Sequence, residues 1–284
     1  MATRAVRALP RVPAALLLCA ALFVAVFWPT FAWMAERFDA DDSFYSHGWL
    51  IPFASGWLIW QRRGALPAPG ASPSYAGLAA LALALALHVV ATWWRLGFVS
   101  GFATIFTVWS LVWTMWGWPT LWRLRFPMGF LLFMVPLPGV LLISISFYMK
   151  LAAAHLATML ISLLGMPAVQ SGSTIQIPGV SVIVDDTCSG LRSLISLVAL
   201  STLWTAFMPP FATLWQKLAI VAASIPIALA ANMVRIIVLV FVAAIYGAKA
   251  AEGFIHFGSG MVVFGVALVV LGALSSWLMR RTSA

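Results

Sequence analysis

Three residues of this 284-residue chain combine a reactive type with an unusual setting: Cys188, Arg235 and His256. Cys188 stands in Asp186-Thr187-Cys188-Ser189-Gly190, where a polar stretch gives way to an apolar run. A cysteine at a helix N-terminus feels the positive end of the dipole, which favours the nucleophilic thiolate. Arg192 follows four residues later, and a helix starting at Cys188 would put both on one face. The competing reading is a buried free cysteine acting as a small apolar filler. Arg235 lies late in the apolar segment Ala230-Ala231-Asn232-Met233-Val234-Arg235-Ile236, three residues after Asn232 and on the same face. A cation inside such a run costs about 2.5–3.5 kcal/mol on insertion scales, so it needs a reason. Snorkelling to the interface and a functional role both supply one. His256 opens another apolar run, with Glu252 one helical turn earlier to hold the imidazole; a water-bonded interfacial histidine is the alternative. A Cys–His pair supplies a nucleophile and a base, and a guanidinium can stabilise the oxyanion of a tetrahedral intermediate. The reaction class is then acyl transfer.

The remaining candidates carry less. His88 sits in an alanine–leucine helix and reads as a packed, hydrogen-bonded residue; His155 falls on a short surface helix; His47 stands at the outer end of a span. Cys19, in the first apolar run, reads as filler. No cysteine or histidine pair has metal-ligand spacing, and no glycine-rich phosphate loop is present, so neither metal nor cofactor is expected. The 15 tryptophans suit interfacial belts better than a stacking platform.

What must position these residues is a membrane bundle. The chain is 63% hydrophobic and only 8% charged, with a mean hydropathy of +1.04. A soluble domain of this size could not hide so much apolar surface, which excludes a cytosolic enzyme and a disordered chain alike. Sixteen Lys and Arg against seven Asp and Glu give +9. The basic residues are scattered at the ends of apolar runs, which marks membrane topology and not nucleic-acid binding. The expected fold is an all-α polytopic membrane protein of about eight spans: Val12–Ala32, Ser46–Trp60, Tyr75–Trp94, Leu96–Trp118, Phe126–Tyr148, Ser189–Phe207, Thr213–Arg235 and His256–Met279. Leu151–Leu164 is expected at one surface, and Ile236–Tyr246 either extends the preceding helix or lies near the interface. Eight spans put both termini on the cytoplasmic side of an inner or plasma membrane, with ten basic residues inside and six at or near the outer face.

From residue 168 to 187 the chain reads AVQSGSTIQIPGVSVIVDDT, two alternating runs about Pro178-Gly179. That pattern predicts a short extracytoplasmic β-hairpin before Cys188, because its polar backbone cannot face lipid. A single membrane domain, 1–284, results. It holds a first span and acidic loop (1–45), spans two to five with the surface helix (46–167), the hairpin (168–187) and the catalytic helices (188–279). This topology brings Cys188, Arg235 and His256 to one membrane face.

Three separated blocks then carry a resemblance. Asp186-Thr187-Cys188-Ser189-Gly190-Leu191-Arg192, Asn232-Met233-Val234-Arg235, and His256 with Gly260 resemble the cysteine, arginine and histidine blocks of the exosortase/archaeosortase family of membrane transpeptidases, in the same order. Ser46-His47-Gly48-Trp49-Leu50-Ile51-Pro52 is similar to its early segment. The resemblance implies a Cys–Arg–His site at the outer face, in which Cys188 is the nucleophile, Arg235 the oxyanion stabiliser and His256 the acid/base. Arg192 and Asn232 would support them; a supporting role for Glu252 comes from its spacing to His256 alone. It also implies partners: exported proteins with a C-terminal signal made of a short motif such as Pro-Glu-Pro, a transmembrane helix and a basic cluster. The cleaved acyl group would pass to a surface acceptor, lipid-linked or glycan. Two other classes stay open on the residues alone. One is a non-enzymatic membrane component of polysaccharide or protein export, which would tolerate loss of Cys188. The other is a lipid-linked glycan transporter, which calls for polar groups along a midplane path that these spans lack.

Overall fold

The computed structural model describes residues 14–40, 43–67, 74–184, 189–247 and 254–280, with backbone alone at 14–16, 65 and 254–257. Among the described residues nine α-helices and three strands follow in order: α1 (Ala14–Asp39), α2 (Leu50–Gln61), α3 (Tyr75–Trp93), α4 (Gly97–Arg123), α5 (Arg125–Phe130), α6 (Gly139–Leu163), β1 (Val169–Ser171), β2 (Thr174–Ile177), β3 (Val180–Ile183), α7 (Leu191–Thr205), α8 (Leu214–Tyr246) and α9 (Phe254–Arg280). A 3₁₀ turn, Ser46–Trp49, leads into α2.

Local chemistry sets the ends. Ser74 Oγ caps α3 by accepting the Gly77 amide at 3.3 Å. Thr213 and Gln216 form a reciprocal capping box at the start of α8. α4 kinks at Gly117, whose φ of 78° no other residue adopts cheaply, two residues before Pro119.

Among the described residues six helices are long and apolar enough to cross a membrane: α1 from Leu17, α3, α4, α6, α8 and α9 from Gly258. Eight were expected. At 1.5 Å per residue, the 12 residues of α2 and the 15 of α7 fall short of a ~30 Å hydrocarbon core. The expected span Phe126–Tyr148 is broken at Pro136-Leu137-Pro138, where the chain leaves α5 and its 3₁₀ continuation and starts α6 afresh. Leu151–Leu164 is therefore no separate surface helix; all but its last residue belongs to α6. Ile236–Tyr246 continues α8 without a break, giving one helix of 33 residues.

The bundle has two distinguishable ends. At one, Trp49 Nε1 donates to Asp39 Oδ1 at 2.8 Å, and the Trp33 ring lies against Gly97. At the other, Arg62 donates to the Arg123 carbonyl at 3.1 Å, and Arg63 and Arg125 stack on Trp60 and Trp122. Short α2 thus runs from the Asp39 end to the Arg123 end. Inside, a buried polar chain ties α1, α3 and α4: Thr30 Oγ1 to Ser100 Oγ (2.6 Å), Ser100 Oγ to His88 Nδ1 (2.8 Å), and His88 Nε2 to the Val26 carbonyl (3.2 Å). His88 is a satisfied core residue. Cys19 is not filler inside the protein; it lies on the outward face of α1 beside exposed Leu18 and Leu22.

The stretch read as two strands forms three, antiparallel in the order β1-β2-β3, with Ser171 opposite Thr174 and Ile177 opposite Val180. Alternation sends Ile175 and Ile177 to one face. There they join a core with Ala153, Ala154, Ala157 and Ile161 of α6 and Ile236, Leu239, Val240 and Ala243 of α8. His155 is on α6, its Nδ1 3.2 Å from Gln170 Oε1 on β1. Val184, just past β3, is buried in the same core.

Candidate active site

Cys188 lies outside the described residues, together with Asp185, Asp186 and Thr187; so does Glu252, and the side chain of His256 is not described. What flanks them is well defined. α7 begins at Leu191, capped by Gly190 in the left-handed region (φ 78°) with Ser189 Oγ accepting the Leu191 amide at 3.3 Å. The helix therefore does not reach back to Cys188, and the shared helical face expected for Cys188 and Arg192 does not exist. Arg192 instead sits in the first turn of α7, half-buried.

Gly190 is required twice. Its φ suits glycine, and a Cβ there would stand 2.7 Å from Asn232 Cγ and 2.8 Å from its Nδ2. Asn232 is buried at 5% exposure on the flank of α8. One turn further along α8, Arg235 is also buried, at 9% exposure. Its guanidinium lies over α9 at Gly260: a Cβ on Gly260 would be 3.4 Å from Arg235 Cζ and 3.6 Å from an Nη. A snorkelling arginine would reach out to the perimeter; this one turns inward against a neighbouring helix. His256 lies one helical turn before Gly260, in the first turn of α9. The three blocks that are far apart in sequence thus meet through two close contacts, Gly190 on Asn232 and Arg235 on Gly260.

Beside these contacts is a cavity of about 540 Å³. Its polar wall is Ser46, His47, Arg192, Ser193, Ser196 and Arg235, and the described residues lining it include no acid. The rest is apolar, with Leu50, Leu203, Met261 and Phe264 among the contributors. Leu50 and Met261 are exposed, so the cavity reaches the apolar perimeter of the bundle between α2 and α9. Two members of the polar wall escaped the reading of the sequence. Ser193 and Ser196 carry no motif, although their spacing from Arg192 puts them on the opening turns of α7.

His47 enters from the 3₁₀ turn. Gly48 lets that turn pack under the Phe38 ring, where any Cβ would collide. Tyr45 stacks on the imidazole at 5.9 Å. Nδ1 is 3.3 Å from Ser196 Oγ, while Nε2 is buried with no hydrogen-bond partner among the described residues. Burial pushes the His47 pKa below its ordinary 6.5.

Comparison with known proteins gives one match. The family model described as transmembrane exosortase covers residues 33–273. No curated protein and no solved structure matches.

Proposed function

The chain belongs to the transmembrane exosortase family, and from that premise we propose that it is a membrane-embedded cysteine protease/transpeptidase. It cleaves C-terminal sorting signals of exported proteins at the outer face of the cytoplasmic membrane and passes them to a surface acceptor. Cys188 is the nucleophile, Arg235 the oxyanion stabiliser and His256 the acid/base, with Arg192, Asn232 and Glu252 in support.

The observation that carries this reading is the convergence of Gly190, Asn232, Arg235 and Gly260 beside one cavity. Covalent geometry supports it further. Cys188 is two residues from Gly190, and two residues of chain reach at most about 7 Å. Gly190 in turn packs on Asn232, one helical turn before Arg235 on α8. The thiolate adds to the scissile carbonyl, and the charge that develops on oxygen is met by Arg235 in a water-poor site. The carbon–nitrogen bond then breaks, and His256 gives the departing amine its proton. A thioester remains, which the acceptor's nucleophile attacks to release the thiolate. The lateral opening suits a substrate that arrives within the membrane, carried on its own apolar helix.

The test is cleavage of a model substrate carrying a motif, a transmembrane helix and a terminal basic cluster. Cys188→Ala should abolish cleavage at matched membrane levels. Undiminished cleavage by that variant overturns the cysteine mechanism.

A further inference from the structure

The mechanism above leaves His47 unused, yet the fold carries it from the 3₁₀ turn before α2 into the same cavity wall as Arg192 and Arg235. We propose that His47 is a substrate-contacting residue, its Nε2–H donating to a backbone carbonyl of the peptide that enters the cavity. This rests on the reading of the cavity as the peptide site.

The proton assignment comes from the hydrogen-bond network. The Ser196 hydroxyl has no acceptor other than His47 Nδ1 among the described residues. Its proton goes to Nδ1, and the ring proton is then on Nε2. That N–H is buried with no acceptor among the described residues. A buried donor left unmet is destabilising, and such groups in native proteins usually wait for a partner. The cavity's apolar wall creates the complementary need, because an extended peptide desolvated there has carbonyls that require donors.

The ring's other neighbours fit a donor better than a proton carrier. Arg192 and Arg235 share the wall, and Tyr45 covers one ring face. Burial disfavours a positive charge on the ring. The turn itself is fixed by the Trp49–Asp39 bond and the Gly48–Phe38 contact, so the donor is presented on a rigid support.

Glutamine places its amide nitrogen near the position of Nε2, whereas asparagine places it near Nδ1. With the full-length protein and the model substrate, His47→Ala and His47→Asn should each raise KM on the order of tenfold, with kcat and the shape of the pH profile kept. His47→Gln should remain within about threefold of the wild type, because one donor replaces another. Unfolding midpoints in detergent accompany each variant, and the Gln-to-Asn comparison decides the matter even if His47→Ala fails to fold. A glutamine variant as impaired as asparagine overturns the proposal. So does wild-type KM in all three, or a loss confined to kcat with a displaced pH profile. Cleavage by Cys188→Ala would instead sink the cysteine mechanism, and the His47 comparison would still be read from the KM of that cleavage.

Discussion

Replacing Gly190 by alanine adds one methyl group and meets two separate penalties. The residue sits at φ 78°, in the left-handed region that an alanine occupies at a cost of about 1–2 kcal/mol. The methyl would also stand 2.7 Å from Asn232 Cγ and 2.8 Å from Nδ2, well inside van der Waals contact. Forcing such a contact in packed surroundings costs about 1–3 kcal/mol. Alanine stiffens the unfolded chain and recovers about 0.4–1 kcal/mol, leaving a net loss of about 1–5 kcal/mol. The two penalties can be separated by a double-mutant cycle. Asn232→Ala removes Cγ and Nδ2, the two closest atoms, but keeps its own Cβ 3.0 Å away and leaves the backbone conformation, so Gly190→Ala in that background should cost about 1–2 kcal/mol less than in the wild type. The assay is reversible unfolding of purified protein in detergent micelles, run on all four forms, with substrate cleavage measured in parallel. A wild-type midpoint for Gly190→Ala would refute the geometry. An equal loss with and without Asn232 would show that the helix–helix contact is not the reason for glycine.

Four further outcomes follow from the same geometry and charges. Arg235→Lys keeps the charge but loses the planar fork of donors, so cleavage should fall on the order of a hundredfold while membrane insertion is unchanged; full cleavage would restore the snorkelling reading. Glu252→Gln should lower turnover without abolishing it, whereas His256→Ala should abolish it, and wild-type turnover in the glutamine variant removes Glu252 from the site. In cells with a permeabilised outer envelope, Cys188 should react with a membrane-impermeant maleimide while Cys19, on the lipid-facing side of α1, does not; labelling of Cys188 only after lysis would invert the orientation. His47 has a depressed folded-state pKa, so the unfolded chain binds its proton first and stability falls as pH drops below about 6.5. The unfolding midpoint of the wild type should therefore decline between pH 7.5 and 5.5 more steeply than that of His47→Gln, and parallel curves would deny the ring its buried, neutral state.

Membrane class could be read from composition, since no folded soluble chain hides this much apolar surface. The three candidate blocks stood out in the sequence too, a lone cation in an apolar run by its cost and a cysteine by its place at a polar-to-apolar junction. What hydropathy missed was backbone geometry. The apolar run from Phe126 to Tyr148 hides a Pro-Leu-Pro break that separates α5 from α6, and a hydropathy average weighs those residues only by their polarity. The start of α7 was missed for a related reason: Gly190's left-handed φ shifts the helix to Leu191, which removes the Cys188–Arg192 face. His47 was noticed but unplaced, because its partner Ser196 is 149 residues away and only the fold brings the two together.

α8 acts as a ruler. Its stretch from Ile236 to Ala243 grips Val184, the last described residue before the Cys188 segment, while Asn232 on the same rod grips Gly190, two residues after it. The two residues that flank the Cys188 segment, Val184 and Gly190, therefore both pack on the helix that carries Arg235, and Arg235 lies between the two contacts. A helix advances 1.5 Å and turns about 100° per residue. A single residue inserted between Arg235 and Leu239 would swing the two clamping points to different sides of the rod, although every chemical group would still be present. Four inserted residues, close to one full turn, would restore the direction and only lengthen the reach. In the proposed mechanism, spacing along α8 would set the register between the Cys188 segment and Arg235.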